Sequence, residues 1–135
     1  MPGSFLDSNV ILYMAGADRA KAERAEALLA DGGLISVQVL NEITSVARRK
    51  MGLDWPETHA LLSAVRGLVD VVPVTIDIHE AGIAIAERYQ LSVYDGMIVA
   101  AARAAGCATL WSEDMQHGLL VDGALRILNP FLREG

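Results

Sequence analysis

The sequence predicts an α/β fold with a mostly parallel central sheet, and three observations carry that prediction. Strand-like apolar runs alternate with amphipathic, helix-like stretches along the whole chain. That order builds a parallel sheet with crossover helices. Two apolar runs lead straight into acids, at Asp7 and at Glu113-Asp114, and open α/β sheets bind ligands beyond the carboxyl ends of their strands. No Pro/Gly/Ser linker, internal repeat or low-complexity stretch divides the chain. Its 135 residues, 53% of them apolar, are expected to form one domain over positions 1–135.

The elements follow in order. Ser4 to Asp7 reads as the first strand, and Ser8-Asn9 and a second apolar run come at once. Asp18 has the character of a helix N-cap, with Ala22, Ala25, Leu28 and Leu29 at helical spacing behind it. Asp31-Gly32-Gly33 stops that helix, and Leu34 to Val37 reads as the second strand. A helix is expected from Val37 to Met51, with Val39, Ile43, Val46 and Ala47 as its apolar stripe. Arg48-Arg49-Lys50 suits the negative end of its dipole, and Gly52 ends it.

Asp54 and Glu57 form a capping-box pattern with Pro56 in the first turn. That helix carries Leu61, Leu62, Val65 and Leu68. Val71 to Val74 is a short strand whose Pro73 places it at an edge or marks its end. Asp77 with Glu80 is expected to open the next helix, running through Ile83, Ala84 and Ala86 to about Gln90. Ser92 to Ala105 is a small-residue helix able to pack closely on the sheet. Ala108 to Ser112 and Leu125 to Leu128 complete the strands.

Composition bounds the function. A net charge of −6 and only two lysines, Lys21 and Lys50, argue against a general nucleic-acid coating protein. They leave room for a nuclease whose acids are neutralised by metal. No apolar run is long enough to span a membrane. Met1-Pro2-Gly3-Ser4 lacks the basic and apolar regions of a signal peptide, so a cytoplasmic location is expected. The lone cysteine, Cys107, reads as a small core hydrophobe.

The chemistry-bearing residues are acids. Asp7 and Asp114 follow strands, though either can also serve a turn or a helix cap. Glu42 lies three residues after Val39 and four before Val46, at the edge of an apolar stripe. A carboxylate there needs a partner, and a salt bridge to Arg66 or Arg88 is the plain alternative. Asp95 precedes Ile98, Val99 and Ala102 by three, four and seven residues. It therefore shares their inward side, unless the Ser92-x-x-Asp95 capping pattern occupies it. Glu113 competes with Asp114 for the place after the strand; one residue apart, the two are expected to point in different directions, and Asp114 is favoured.

Helix starts follow strand ends in a parallel α/β fold, so Asp7, Glu42, Asp95 and Asp114 can meet at one sheet edge. Two carboxylates about 4 Å apart repel by roughly 4 kcal/mol at an effective dielectric near 20. A pocket of four requires protonation or a cation. Hard oxygen donors favour magnesium or manganese over zinc. Of the histidines, His59 and His79 read as exposed helix residues, and His117 lies in a loop near Asp114 from which it could approach substrate.

Phe5-Leu6-Asp7-Ser8-Asn9-Val10, Val39-Leu40-Asn41-Glu42-Ile43, Tyr94-Asp95-Gly96-Met97-Ile98-Val99-Ala100 and Trp111-Ser112-Glu113-Asp114 resemble the PIN-domain nucleases, most closely the VapC-type toxin branch. The resemblance runs from Phe5 to about Phe131. It implies a three-layer α/β/α fold and a magnesium- or manganese-dependent endoribonuclease with Asp7, Glu42, Asp95 and Asp114 as its acids. It implies support from Ser112 and Asn9, a homodimer, an RNA substrate and a cognate antitoxin that docks a segment over the site. Gly96 departs from the pattern, where a better helix former is usual, and is expected to loosen that first turn. Basic residues for RNA are few: Arg19, Lys21, Arg24 and Arg48-Arg49-Lys50.

Other functions fit less well. A phosphoaspartate phosphatase wants a second Asp where Asn9 stands, and a receiver domain wants a late lysine, absent after Lys50. A PIN-fold nuclease of RNA processing, or an inactive PIN-like module that binds RNA or protein, remain as alternatives. The presence of all four acids argues against the inactive module.

Overall fold

A computed structural model describes residues 3–132. Met1 and Pro2, half of the stretch on which the cytoplasmic expectation rests, lie outside them. The chain forms strand β1 (Phe5–Leu6), helix α1 (Ser8–Leu12), a 3₁₀ turn (Tyr13–Ala15) and helix α2 (Arg19–Leu29). It continues with β2 (Leu34–Ser36), α3 (Val37–Arg49), α4 (Trp55–Leu68), β3 (Asp70–Val72), α5 (Ile76–Tyr89) and α6 (Val93–Ala104). Strands β4 (Thr109–Trp111), β5 (Leu120–Val121) and β6 (Leu125–Leu128) close it.

The sheet order is β3-β2-β1-β4-β6-β5, with every pairing parallel except β5 with β6. This is the α/β/α arrangement expected from the sequence. β1 lies in the interior, pairing Phe5 with Leu34 on one side and Leu110 on the other. A strand flanked on both edges and covered on both faces must be apolar throughout, and Phe5 and Leu6 are fully buried. They join Val10, Ile35, Ile43, Ile98, Leu110 and Ile127 in one core. Cys107 sits in that core as a free thiol, its pKa raised by burial. Among the described residues no helix is long and apolar enough to cross a membrane.

Local signals fix most boundaries. Asp18 accepts the Lys21 amide at 3.1 Å as the α2 cap. Asp54 and Glu57 complete both bonds of their capping box, at 2.8 and 3.0 Å. Gly32 and Gly52 take the left-handed φ of +83° and +67° that ends α2 and follows α3.

Some expectations need correction. The α5 cap is Thr75, whose hydroxyl accepts the Ile78 amide, and Asp77 lies inside the first turn. β3 starts at Asp70 and stops before Pro73, at the sheet edge. β1 and β4 are a residue shorter at each end than their apolar runs, and β5 has no signal strong enough to read. On α5 the buried face is Gly82, Ile85 and Ala86, while Ile83 is exposed.

That phase has a cause in α6. A Cβ on Gly82 would sit 2.7 Å from the Met97 sulfur, and one on Gly96 would collide with the Gly82 carbonyl oxygen. The two helices touch backbone to backbone through these glycines. Gly96 therefore does not loosen the start of α6; it lets α5 seat against it, with Gly96 itself buried.

Candidate active site

The carboxyl end of β1 is pinned before any acid is considered. The Asp7 amide donates to the Trp111 carbonyl at 2.9 Å, the last rung between β1 and β4. Ser112 likewise donates its amide to the Leu128 carbonyl at 2.9 Å. Two extended chains end side by side, and their next side chains meet: the Ser112 hydroxyl donates to Asp7 Oδ2 at 2.8 Å. That hydroxyl also accepts the Met115 amide at 3.2 Å, which fixes its direction.

Asp7 is 2% exposed. It caps α1, with Oδ1 accepting the Ser8 amide at 2.7 Å. The cap alternative is thus correct as local structure, but it uses only one oxygen. Oδ2 faces Ser112 and Asn9, whose side-chain amide donates to it at 3.2 Å. The same Asn9 nitrogen donates to Asp114 Oδ2 at 3.1 Å, and Asn9 Oδ1 accepts the Glu113 amide at 3.1 Å. With its oxygen committed to a backbone donor, Asn9 can only present its two N–H groups to the carboxylates. It ties Asp7 to Asp114.

Glu42 arrives from α3. Its Oε1 accepts the Ser8 hydroxyl at 2.8 Å, and Oε2 accepts the Gln38 amide at 3.3 Å. The single hydroxyl proton of Ser8 serves Glu42 rather than the more distant Asp7 Oδ1 at 3.4 Å. No arginine pairs with Glu42 among the described residues, and Arg88 instead approaches Asp122 at 3.7 Å. Asp95 stands in the first turn of α6, its amide donating to Ser92 Oγ at 3.1 Å. The capping box does not close, since among the described residues the Ser92 amide makes no reciprocal bond to the Asp95 carboxylate.

Electrostatics shows that the acids face one another. The Asp7 pKa is raised from 3.8 to about 6, chiefly by burial and with Glu42 and then Asp95 adding to the rise, while the Ser112 and Ser8 bonds oppose it. Burial also raises Asp95, with Glu42 and Asp114 adding to it and Ser92 opposing. Asp7 feels Glu42 and Asp95, Asp95 feels Glu42 and Asp114, and none of the four is salt-bridged to lysine or arginine among the described residues.

Glu113 is different. It accepts Lys21 Nζ and the Tyr13 hydroxyl, each at 2.6 Å. Burial opposes its ionisation, but these bonds outweigh it and lower its pKa. Glu113 is neutralised on the α2 side, which leaves Asp114 as the free acid after β4. His117 Nδ1 accepts the Asn129 amide at 2.9 Å, and among the described residues it makes no hydrogen bond to the acids.

Among the described residues no three carboxyl or imidazole groups already stand close enough to form a ready-made ion cage. The donor set still fits a hard divalent ion: all-oxygen, uncompensated and rigidly backed at Asp7 and Glu42. Magnesium commonly keeps several waters and takes one or two carboxylates directly. Asp7 and Asp114, linked by Asn9, with Glu42 and Asp95, are the residues that would hold it. Ser8 and Gln38 are supports that sequence reading missed as such. Gln38 had a signal, standing four residues before Glu42 on the same helix; Ser8 had only its place next to Asp7.

No curated protein sequence matches this chain. Solved structures do share its fold. A toxin–antitoxin complex from Klebsiella pneumoniae superposes with a TM-score of 0.72 at 17% identity, covering 96% of this chain and 98% of that one. The Mycobacterium tuberculosis toxin VapC20, described as cleaving the sarcin–ricin loop, gives 0.69 at 23% identity over 83% and 90%. FitAcB from Neisseria gonorrhoeae gives 0.63 at 18% identity over 95% and 98%. The family model of the PIN domain matches residues 4–118, a span that begins before β1 and ends beyond Asp114. The strands that deliver acids to one edge, and the sequence that encodes them, place this chain in the PIN-domain family.

Proposed function

We propose that this chain is a metal-dependent endoribonuclease, a single PIN domain over residues 1–135 that acts as the toxin of a VapC-type toxin–antitoxin pair. The observation that carries this reading is uncompensated charge. Four carboxylates on different elements share one sheet edge without a basic side chain among them, while their neighbour Glu113 has two partners.

In this reading each residue has a task. Asp7 is the innermost acid and is held immobile by Ser112, Asn9 and the Ser8 amide. Glu42 is aimed by Ser8 and Gln38. Asp95 brings the fourth element's charge from α6, and Asp114, exposed at the rim, meets the substrate side. These carboxylates would hold a magnesium or manganese ion, which when bound would acidify a water and stabilise charge on a scissile phosphate. Rigid backing matters because carboxylates that swing would not hold an ion against its hydration.

The toxin assignment draws support from the similar structures, one of them a toxin–antitoxin complex and another the toxin VapC20. We propose a homodimer in the cytoplasm and a small antitoxin as partner. A groove of about 160 Å³ lined by Ile11, Met14, Leu61, Ala64, Val65 and Leu68 suits an apolar anchor of such a partner. Leu68 is 45% exposed there.

The test is expression without a partner. The wild-type chain is expected to arrest growth and Asp95→Asn to relieve it, with purified wild-type protein cutting RNA only when magnesium or manganese is present. Toxicity that persists in Asp95→Asn, or cleavage unchanged by chelation, contradicts the proposal.

A further inference from the structure

The same edge of the sheet carries a second concavity, on the opposite face from the acids. Successive strand residues point to opposite faces, so Trp111 faces α2 while Ser112 faces Asp7. Around Trp111 lies a groove of about 380 Å³ whose polar lining is Arg24, His117 and Asn129, with Pro130 beside them. Its volume is in the range of small-ligand sites. Its chemistry is the reverse of the acid cleft: a guanidinium, an imidazole and an indole.

The groove is held in shape. Arg24 donates Nε to the Pro130 carbonyl at 3.0 Å, and its guanidinium carbon lies 5.8 Å from the centre of the Trp111 ring. With Nε committed, the terminal guanidinium nitrogens are left for a ligand. No carboxylate among the described residues pairs with them. His117 Nδ1 accepts the Asn129 amide, so Nε2 is the ring atom available.

Among the described residues most other basic side chains have partners, while Arg49, Lys50 and Arg66 pair with no carboxylate. Lys21 is bound to Glu113 at 2.6 Å, Arg19 approaches Glu23, and Arg48 donates to the Leu53 carbonyl and covers Trp55. A chain of net charge −6 that handles a polyanion needs a cationic grip somewhere. This groove is where Arg24 supplies one, beside an aromatic ring that can stack on a base of any sequence.

We infer that the Arg24–Trp111–His117 groove is a subsite for a nucleotide flanking the one that is cut, its phosphate met by Arg24 and His117 and its base stacked against Trp111. The inference rests on the nuclease reading. The strand of RNA crosses the carboxyl edge between β4 and β6, so that one nucleotide lies on the acid side and another on the α2 side. Position along the RNA is then set by the groove, and chemistry by the acids.

The chain has two tryptophans, so Trp55→Phe leaves Trp111 as a sole fluorescent reporter. In that background, titration with a short random-sequence 2′-O-methyl RNA, which resists hydrolysis, is expected to quench Trp111. Arg24→Gln and His117→Gln should each weaken binding about tenfold, and Arg24→Gln should lower the slope of log affinity against log salt by about one. On a cleavable RNA the same variants should raise KM and leave kcat within about twofold, a split that a merely structural role would not give. Absence of quenching, or variants that bind and cut like the parent, overturns the subsite while the parent's metal-dependent cleavage keeps the nuclease reading. A parent that neither binds nor cuts RNA removes both.

Discussion

Two regions flank the end of β4 and treat negative charge in opposite ways. On the α2 side Glu113 is met by Lys21 and Tyr13 at 2.6 Å, its ionised form favoured. One residue later Asp114 turns to the other side and joins Asp7, Glu42 and Asp95, where the nearest partners are serines, an asparagine and a glutamine. These partners orient carboxylates without cancelling them. An ordinary fold neutralises its half-buried acids, as this one does at Glu113. In the proposed function, the unneutralised group is where stability is given up for an ion.

The largest expected effect separates the two sides by activity. Asp7→Asn or Asp95→Asn should lower RNA cleavage by at least about a thousandfold, roughly 4 kcal/mol of barrier. Glu113→Gln should stay within a few-fold in the same assay. A Glu113 variant as damaged as the Asp7 variant would erase the distinction.

Stability should move the other way. The folded pKa of Asp7, about 6, lies above its ordinary value of 3.8. The folded state therefore binds the proton more tightly than the unfolded one, and stability falls as pH rises from about 4 to about 6. The gap corresponds to about 3 kcal/mol as an upper figure. Asp7→Asn, which loses some of the hydrogen bonds to Oδ2, should be more stable than wild type by about 1–2 kcal/mol in urea unfolding at pH 7 with chelator. The gain should vanish near pH 4. Manganese should reverse the order by stabilising only wild type.

Gly96→Ala tests the seam beneath the acids rather than their charge. Its methyl would meet the Gly82 carbonyl oxygen across α5 and α6. A loss of about 1–3 kcal/mol is expected despite alanine's better helix propensity. Unchanged or raised stability would show that the helices can part at no cost, and that α6 does not need this glycine to seat Asp95.

The smallest effect is at the neutralised acid. Because the folded pKa of Glu113 is lowered, its stabilisation is present above the ordinary glutamate range and fades as pH falls through the folded value. Glu113→Gln should lower the urea midpoint slightly at neutral pH and not at all in strong acid. That is the opposite sign to Asp7→Asn, and strong salt should reduce it because the pair is partly exposed, at 32% for Lys21 and 24% for Glu113.

The legible parts of the sequence were those with one dominant local signal. Caps at Asp18 and Asp54, and breaks at Gly32 and Gly52, need only their own neighbours to form. The buried central strand was readable because burial on both faces leaves no polar residue to confuse the pattern. The α5 face was not readable. Apolar residues occupy nearly every phase there, and the choice of Ile85 over Ile83 is made by a glycine contact with α6. At the site, residue types and spacing pointed to Asp7, Glu42, Asp95 and Asp114 as a group. Asp114 was already favoured over Glu113, but what occupies Glu113, Lys21 and Tyr13, is distant in sequence and brought near only by the fold. The same holds for Ser8, whose hydroxyl finds Glu42 across 34 positions.

Calorimetric titration of the metal-free protein with manganese at pH 7 tests the central claim most directly. The account predicts a saturable site that Asp7→Asn abolishes and Glu113→Gln preserves, with affinity falling about tenfold per pH unit below about 6 as a proton competes for Asp7. Absence of saturable binding by the wild-type chain, or equal binding by Asp7→Asn, would contradict it.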